Sequence, residues 1–202
     1  LHPHLATREL KDFWLNDLSR RYIQIIRDRL SSGDGAAKFV LQNVYSELIK
    51  LCSPIIPFLT EKIWLELKDK KVVKEESVHL TSWPKADLKK INNKIEQDME
   101  GVRTIIEAGL ASRDKEKVGL KWPLAKATIL GGDLKLNKQL KEIIKSQLNV
   151  KALGFRESHA NQRDVSVDLD TKMTPDLEAE GYAREMSRKI QAFRRQLGLE
   201  KK

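Results

Sequence analysis

The sequence predicts a mainly α-helical fold that is followed by a small α+β part. Apolar residues recur every three or four positions in several long segments, which is the period of a helix that packs on one side. After residue 113 the pattern changes to shorter apolar stretches, and Val165, Val167 and Leu169 alternate with polar residues as in a strand. Prolines and glycines separate these segments, which indicates that turns join the elements.

Three predicted helices make up the first part of the chain. They span residues 7–30, 36–52 and 58–67. Three- and four-residue steps along the first helix connect Leu10, Phe13, Trp14, Leu18, Arg21 and Ile25. Pro54 and Pro57 end the second helix, because proline lacks an N–H donor and clashes with the preceding turn. Amphipathic helices joined by short links predict a helical bundle.

The second part alternates between helices and strands. Helices are predicted over residues 88–113 and 136–148, and strands over residues 125–130, 150–155 and 165–169. A last helix is expected to start after Thr174, because threonine is a good N-cap and Pro175 suits the first helical position.

These patterns divide the chain into three predicted regions. They are a helical bundle with a charged connector over residues 1–87, a connecting helix over residues 88–113 and an α+β unit over residues 114–202. The chain starts at Leu1 rather than at methionine and ends soon after its last helix. We therefore expect a piece of a longer protein that continues past residue 202.

The composition favours an intracellular, cytoplasmic protein with a polyanionic partner. The net charge is +9, from 38 basic and 29 acidic residues, and nucleic acid is the commonest polyanion. A basic surface that only keeps the protein in solution is the alternative. No apolar run approaches the ~18 residues of a membrane span, and no signal-peptide pattern is present.

Signatures of catalysis and of metal binding are missing. Cys52 is the only cysteine, which excludes an internal disulfide and a multi-cysteine zinc site. His2 and His4 could pair around a metal, but they stand at an end of the chain, where fraying is the simpler expectation. No serine lies in a nucleophile motif. We predict no catalytic residue, no metal and no cofactor in this chain.

Arginines are the candidate binding residues. On the last helix Arg184, Arg188 and Arg195 are predicted to lie opposite an apolar stripe, and on the first helix Arg20 and Arg27 share a polar face. Guanidinium groups bind phosphates with two hydrogen bonds and stack on unpaired bases. The alternative is a solvated face, with intrahelical pairs to acidic residues and cations that match the helix dipole.

Four tryptophans are candidate stacking platforms for bases, but packing is the expected role of each. Trp14 and Trp64 stand on apolar helix faces, which favours the core. Trp83 and Trp122 each precede a proline in extended segments, and we expect them to pin the connector to the bundle.

Three stretches of the first part resemble one family. Residues 12–29 are similar to the helix that opens the anticodon-binding bundle of isoleucyl-tRNA synthetases; they read Asp-Phe-Trp-Leu-Asn-Asp-Leu-Ser-Arg-Arg-Tyr-Ile-Gln-Ile-Ile-Arg-Asp-Arg. Residues 51–64 resemble the Pro-Phe-x-x-Glu-x-x-Trp element that the valyl, leucyl, isoleucyl and methionyl enzymes share. Residues 77–84, Ser-Val-His-Leu-Thr-Ser-Trp-Pro, resemble the connector that follows this element.

Two stretches of the second part narrow the resemblance to the archaeal and eukaryotic type of isoleucyl enzyme. They are residues 113–124, which include Lys-Trp-Pro-Leu, and residues 169–185, which include Thr-Pro-Asp-Leu-Glu-Ala-Glu-Gly-Tyr. The resemblance implies the anticodon-binding bundle of a class I synthetase, followed by a C-terminal α+β unit.

The same resemblance implies tRNA binding without catalysis. The His-Ile-Gly-His and Lys-Met-Ser-Lys-Ser signatures that hold ATP in the family are absent from this sequence. ATP is thus expected only in a full-length enzyme, and the expected partners are isoleucine tRNA and the remainder of the synthetase. The alternatives are the equivalent module of a valyl enzyme, a free-standing tRNA-binding protein and a protein-interaction module. An independent enzyme lacks support.

Overall fold

A computed structural model describes residues 2–131, 136–156 and 165–199 of the chain. The contacts divide the chain into two compact units, residues 1–91 and 92–202. Among the described residues, no helix is both long enough and apolar enough to cross a membrane.

The first unit opens with a continuous helical stretch. It consists of α1 (Pro3–Asp12), a π-helical segment (Phe13–Tyr22) and α2 (Ile23–Ser31). The helix predicted over residues 7–30 is thereby confirmed in place, but its middle has the wider π turn. Leu10, Trp14 and Leu18 of the predicted apolar stripe pack in the core, and Leu18 is buried, whereas Phe13 is exposed. The wider turn changes which residues share a side, so a period of 3.6 residues does not apply there.

Two further helices complete this unit, α3 (Gly35–Cys52) and α4 (Pro57–Asp69). The Asp34 carboxylate caps α3 by accepting hydrogen bonds from the backbone N–H groups of Ala36 and Ala37. Pro57 takes the first position of α4, where its missing N–H is not needed. Both helices start and end within two residues of the predicted bounds.

The segment after α4 is fastened to it by two polar side chains. Glu61 accepts hydrogen bonds from Ser77 Oγ at 2.9 Å and from the Val78 backbone N–H at 3.1 Å. The buried Trp64 donates its indole N–H to the backbone carbonyl of Glu75 at 3.1 Å. These contacts hold a short 3-10 turn, Val78–Leu80, against α4. The glutamate and the tryptophan of the Pro-Phe-x-x-Glu-x-x-Trp element thus have a structural role.

The core of the first unit consists of two small clusters. One contains the buried residues Leu18, Leu48 and Cys52, and the other contains Ile49, Trp64 and Val78. Several large apolar side chains stay outside both clusters, and Phe58 is 91% exposed.

The second unit combines helices with a three-stranded sheet. Its elements are α5 (Asn93–Lys115), β1 (Leu124–Leu130), α6 (Lys138–Leu148), β2 (Val150–Arg156), β3 (Ser166–Leu169) and α7 (Pro175–Gln196). The strand order is β2-β1-β3, with β1 parallel to β2 and antiparallel to β3. The helix predicted to start at residue 88 starts later, because the Asn92 side chain caps it and a 3-10 turn, Leu88–Lys90, precedes it.

A single core holds the sheet and its helices together. It contains eleven buried residues: Val102, Ile105, Leu124, Ala127, Ile129, Leu136, Leu140, Ile144, Leu148, Val150 and Val167. They come from α5, from α6, from Leu136 just before α6 and from all three strands. The segment predicted as a connecting helix packs here, against α6 and β3.

Arg113 is a buried cation inside this unit, with only 2% of its surface exposed. Its guanidinium donates hydrogen bonds to the backbone carbonyls of Leu148, Gly119, Trp122 and Asn149. Burial lowers the pKa of the guanidinium, because no carboxylate is among these partners. Arg113 thereby joins the end of α5 to the loop before β1 and to the end of α6.

The last helix, α7, lies against Trp122. A Cβ atom on Gly181 would overlap the Trp122 indole, so only glycine allows this approach. The neighbouring Tyr182 ring meets Trp122 edge to face at 5.2 Å between centroids. Thr174 caps the helix and Pro175 starts it, as the sequence predicts.

The mainly α-helical fold with a small α+β part is confirmed. The three strands lie within one residue of their predicted bounds. The predicted domain limits at residues 87 and 113 stay a prediction, and residue 202 lies outside the described residues.

Candidate nucleic-acid interface

The first unit presents its predicted arginines on one exposed helical stretch. Arg20 donates a hydrogen bond from Nη1 to the Asn16 side-chain oxygen at 3.1 Å, and no described carboxylate pairs with it. Arg27 is exposed, and no carboxylate pairs with it in the part of the chain that the structure describes. Arg20 and Arg27 are seven residues apart, and with a rise of about 1.5 Å per residue this separates them by roughly 10 Å along the helix axis.

Neighbouring arginines of the same stretch are neutralised. Arg21 pairs with Asp17 at 2.7 Å, and Arg29 pairs with the N-cap Asp34 at 2.7 Å. The Arg29 guanidinium and the two N–H groups at the start of α3 lower the pKa of the Asp34 carboxyl. The solvated-face alternative therefore fits Arg21 and Arg29 better than it fits Arg20 and Arg27.

The second unit holds the other predicted arginines, on α7. Arg184 pairs with Glu180 at 2.7 Å, and Arg188 pairs with Glu185 at 2.8 Å. Arg195 is exposed, and within the described ranges no ion pair involves it. These three arginines share a side of the helix. Arg184 and Arg188 can bind a phosphate only after they release their glutamate partners.

Glutamates on α7 link it to the rest of the unit. Glu185 accepts from Arg188 and also pairs with Lys121 at 2.9 Å, and these two cations lower the pKa of its carboxyl to about 2. Glu180 pairs with Lys151 on β2 as well as with Arg184, and both lower the pKa of its carboxyl. Both carboxylates are therefore ionised at neutral pH and compete with any incoming phosphate.

The apolar stripe of α7 is exposed beyond its first turns. Only Leu177 and Gly181 of this helix are buried. The exposed members of the stripe are Tyr182, Met186, Ile190, Phe193 and Leu197. The arginine side and the apolar side of α7 are thus both accessible within this unit.

The tryptophans follow the expected packing only in part. Trp64 is buried, and Trp14 meets Tyr45 edge to face, so both belong to the bundle. The expectation that Trp83 and Trp122 pin the connector to the bundle is wrong. Trp122 packs on α7, because Gly181 lets the ring approach, and Trp83 is 59% exposed.

A basic groove between α6 and β2 is a feature that the sequence analysis missed. Four lysines and one glutamate line it together with Ala152, Leu153 and Phe155; the charged residues are Lys138, Lys141, Glu142, Lys145 and Lys151. Three of the lysines recur at i, i+3 and i+7 along α6, a spacing that places them on one side of a helix. That spacing was visible in the sequence, whereas the packing of β2 beside this helix was not.

No metal site can be built from the described residues. Within them, no three side chains of histidine, cysteine, aspartate or glutamate come together closely enough to hold an ion. The expectations about cofactors stay predictions.

Residues 2–129 match the family model of the anticodon-binding domain of tRNA ligases, and the chain belongs to this family.

Similar proteins are isoleucine–tRNA ligases. The chain is 38% identical to the enzyme of Pyrococcus horikoshii over 154 residues, which cover 72% of the chain and 14% of that relative. It is 33% identical to the enzyme of Methanopyrus kandleri over 180 residues, which cover 87% of the chain and 17% of the relative. A bacterial relative, from Cutibacterium acnes, is 37% identical over 69% of the chain and 13% of its own length. The chain thus spans about one-seventh of these relatives.

Proposed function

We propose that this chain is the tRNA-binding, anticodon-recognising part of an isoleucine–tRNA ligase. The observation that carries the proposal is the family match over residues 2–129, together with the similarity to isoleucine–tRNA ligases. In this proposal the full-length enzyme attaches isoleucine to its tRNA with ATP in the cytoplasm. The partners of the chain are isoleucine tRNA and the remainder of the synthetase, and the chain itself catalyses nothing.

The exposed arginines suit this function. An anticodon loop offers unstacked bases and closely spaced phosphates, and proteins bind such loops by stacking, hydrogen bonds and phosphate contacts. Arg20 and Arg27 are the strongest candidates for phosphate contacts, because no carboxylate within the described residues pairs with either. Arg195 is a third candidate for a phosphate contact. Arg184 and Arg188 are weaker candidates, because each must first release its glutamate partner.

A binding assay with tRNA transcripts tests the arginine sites. The double variant Arg20→Ala with Arg27→Ala is compared with Arg21→Ala and Arg29→Ala, which removes the same charge from the same helical stretch but from ion-paired residues. The triple variant Arg184→Ala, Arg188→Ala and Arg195→Ala is measured alongside. For each arginine that binds a phosphate, its replacement should lower the slope of log affinity against log salt by about one unit, alike for all tRNA species.

The choice of tRNA is measured with isoleucine and valine transcripts and with their exchanged anticodons. We expect tighter binding to the isoleucine anticodon in either tRNA body. Equal affinity for all four transcripts would contradict anticodon recognition, and amino-acid-dependent pyrophosphate exchange by the chain would contradict a non-catalytic role.

A protein-interaction module is the second candidate, and the exposed apolar side chains favour it. Phe58 is 91% exposed beside the exposed Leu59, and the α7 stripe is open as well. Such patches often mark contact surfaces. The rest of an isoleucine–tRNA ligase, produced separately, is the partner to test. Its binding should persist at high salt, whereas RNA binding should weaken.

A further inference from the structure

We propose that the basic groove between α6 and β2 binds a single-stranded stretch of RNA, with phosphates along its lysines and one unpaired base on Phe155. The inference rests on the proposed function in taking RNA as the ligand. It adds a second contact surface that lies outside residues 2–129, the part of the chain that matches the anticodon-binding family.

The charge of the groove suits a phosphodiester backbone. Four lysines face one glutamate, Glu142, which pairs with Lys145 at 2.9 Å. Lys151 pairs with Glu180 on α7, so it is partly compensated. Lys138 and Lys141 form no ion pair with any described residue, and they start the row of lysines along α6. A row of cations on one helix side follows a chain of phosphates better than it surrounds one compact anion.

Phe155 adds an aromatic ring to the lysines of the groove. Phe155 is 49% exposed on β2, and the Lys141 ammonium lies over its ring, 5.1 Å from the centroid. An exposed aromatic face beside a cation is the usual platform for an unpaired base, because every base offers a π face and the adjacent phosphate meets the cation. In a double-stranded segment the bases stay paired and stacked, so no base is free to stack on Phe155.

The strand itself adds hydrogen-bonding groups. β2 lies at the edge of the sheet, and its outer edge pairs with no other described strand. Within the described residues, no strand competes with a ligand in the groove for the N–H and C=O groups along that edge. Backbone groups beside an aromatic ring can contact base edges, which an anionic membrane surface does not present. These features favour RNA over a lipid surface.

The test measures how the intact chain binds a short oligouridylate and an isoleucine tRNA transcript at several salt concentrations. The groove variant is Lys138→Ala, Lys141→Ala and Lys145→Ala together. The matched control is Lys94→Ala, Lys115→Ala and Lys172→Ala, which removes equal charge from exposed lysines elsewhere in the second unit. Circular dichroism checks folding, and Phe155→Ala and Phe155→Trp test stacking.

The groove variant should lower the salt slope for oligouridylate by about two units, since each phosphate contact of a single strand contributes about 0.7. The control should keep the slope of the parent. Phe155→Ala should weaken binding about 5- to 100-fold without changing the slope, and Phe155→Trp should keep the affinity.

Three results would overturn the proposal. Groove variants that bind both probes like the parent exclude this site; if the variant of Arg20 and Arg27 is weakened in the same assay, the proposed function still stands. A parent that binds neither probe overturns the site and the proposed function together. Variants that lose binding only to vesicles of phosphatidylserine and phosphatidylcholine identify a membrane surface instead.

Discussion

The two units of this chain are held together in different ways. The second unit has one core, and its eleven buried residues come from α5, from α6 and the residue Leu136 before it, and from all three strands. The first unit has two clusters with three buried residues each, and it leaves Phe58 and other large side chains in solvent. Because burial of apolar surface supplies most of the stability, the first unit depends on a few anchors.

The units also differ in how they carry positive charge. In the first unit Arg27 stands exposed on a helix, and Arg20 donates to a neutral asparagine and pairs with no described carboxylate. In the second unit Arg184 and Arg188 are paired with glutamates, and the less compensated charge lies in the lysine groove beside Phe155. A row of basic residues on a helix therefore indicates a binding face only when the acidic neighbours are counted.

The largest expected effect tests how strongly the first unit depends on one anchor. Trp64→Ala removes a buried ring and its hydrogen bond to the Glu75 carbonyl. We expect a loss of about 3–5 kcal/mol in the free energy of unfolding of this unit. Amide hydrogen exchange should show reduced protection in residues 1–91 and unchanged protection in the second unit.

Trp83→Ala is the matched control, because Trp83 is exposed and its removal should change stability by less than about 0.5 kcal/mol. Equally reduced protection in both units after Trp64→Ala would contradict the difference between them, since the units would then unfold as one.

A smaller effect is expected in the second unit when its buried cation is removed. Arg113→Met removes the guanidinium donor from four backbone carbonyls, of which those of Gly119 and Asn149 keep a backbone N–H donor, and we expect a loss of about 3 kcal/mol. Arg103→Met on the same helix is the control; it removes partly exposed pairs with Glu100 and Glu107 and should cost about 0–1 kcal/mol. Urea unfolding measures both. An equal loss of unfolding free energy in both variants would show that the buried Arg113 stabilises the unit no more than the partly exposed Arg103 does.

The smallest expected effect is a dependence of the second unit on pH. Folding lowers the pKa of Glu185 from 4.5 to about 2, so its contribution is complete above pH 4.5 and is lost as the pH falls toward 2. Glu185→Gln should reduce stability at neutral pH and flatten the acid side of the stability curve, whereas Glu116→Gln, an exposed control, should leave that curve unchanged. A parent-like curve for Glu185→Gln means that Lys121 and Arg188 do not stabilise the ionised carboxylate.

Local patterns were sufficient to predict most elements. The capping roles of Thr174 and Pro175 and the alternation that ends at Leu169 place α7 and β3 within a residue. In the first helix Leu18 is buried, as its place on the predicted stripe requires, but Phe13 is exposed, because the π-helical segment changes which residues share a side. Hydrophobic spacing alone cannot distinguish turns of different width.

The candidate sites were less predictable than the fold. The positions of Arg20, Arg27 and Arg195 on their helices followed from spacing. Spacing did not reveal that none of the described carboxylates pairs with them in the folded chain. The groove needed two elements that are separated in sequence, since Lys141 meets Phe155 only after α6 packs beside β2.

The positions of helices and strands, the excess of positive charge and the resemblance to anticodon-binding domains all follow from the linear sequence, because they depend on neighbouring residues and on short motifs. The reason why several motif residues are needed became apparent only in the folded chain. Glu61 and Trp64 fasten the segment after α4, Arg113 joins three backbone segments, and Gly181 admits the ring of Trp122. Each of these contacts unites residues that are distant along the chain, and their geometry exists only once the chain has packed.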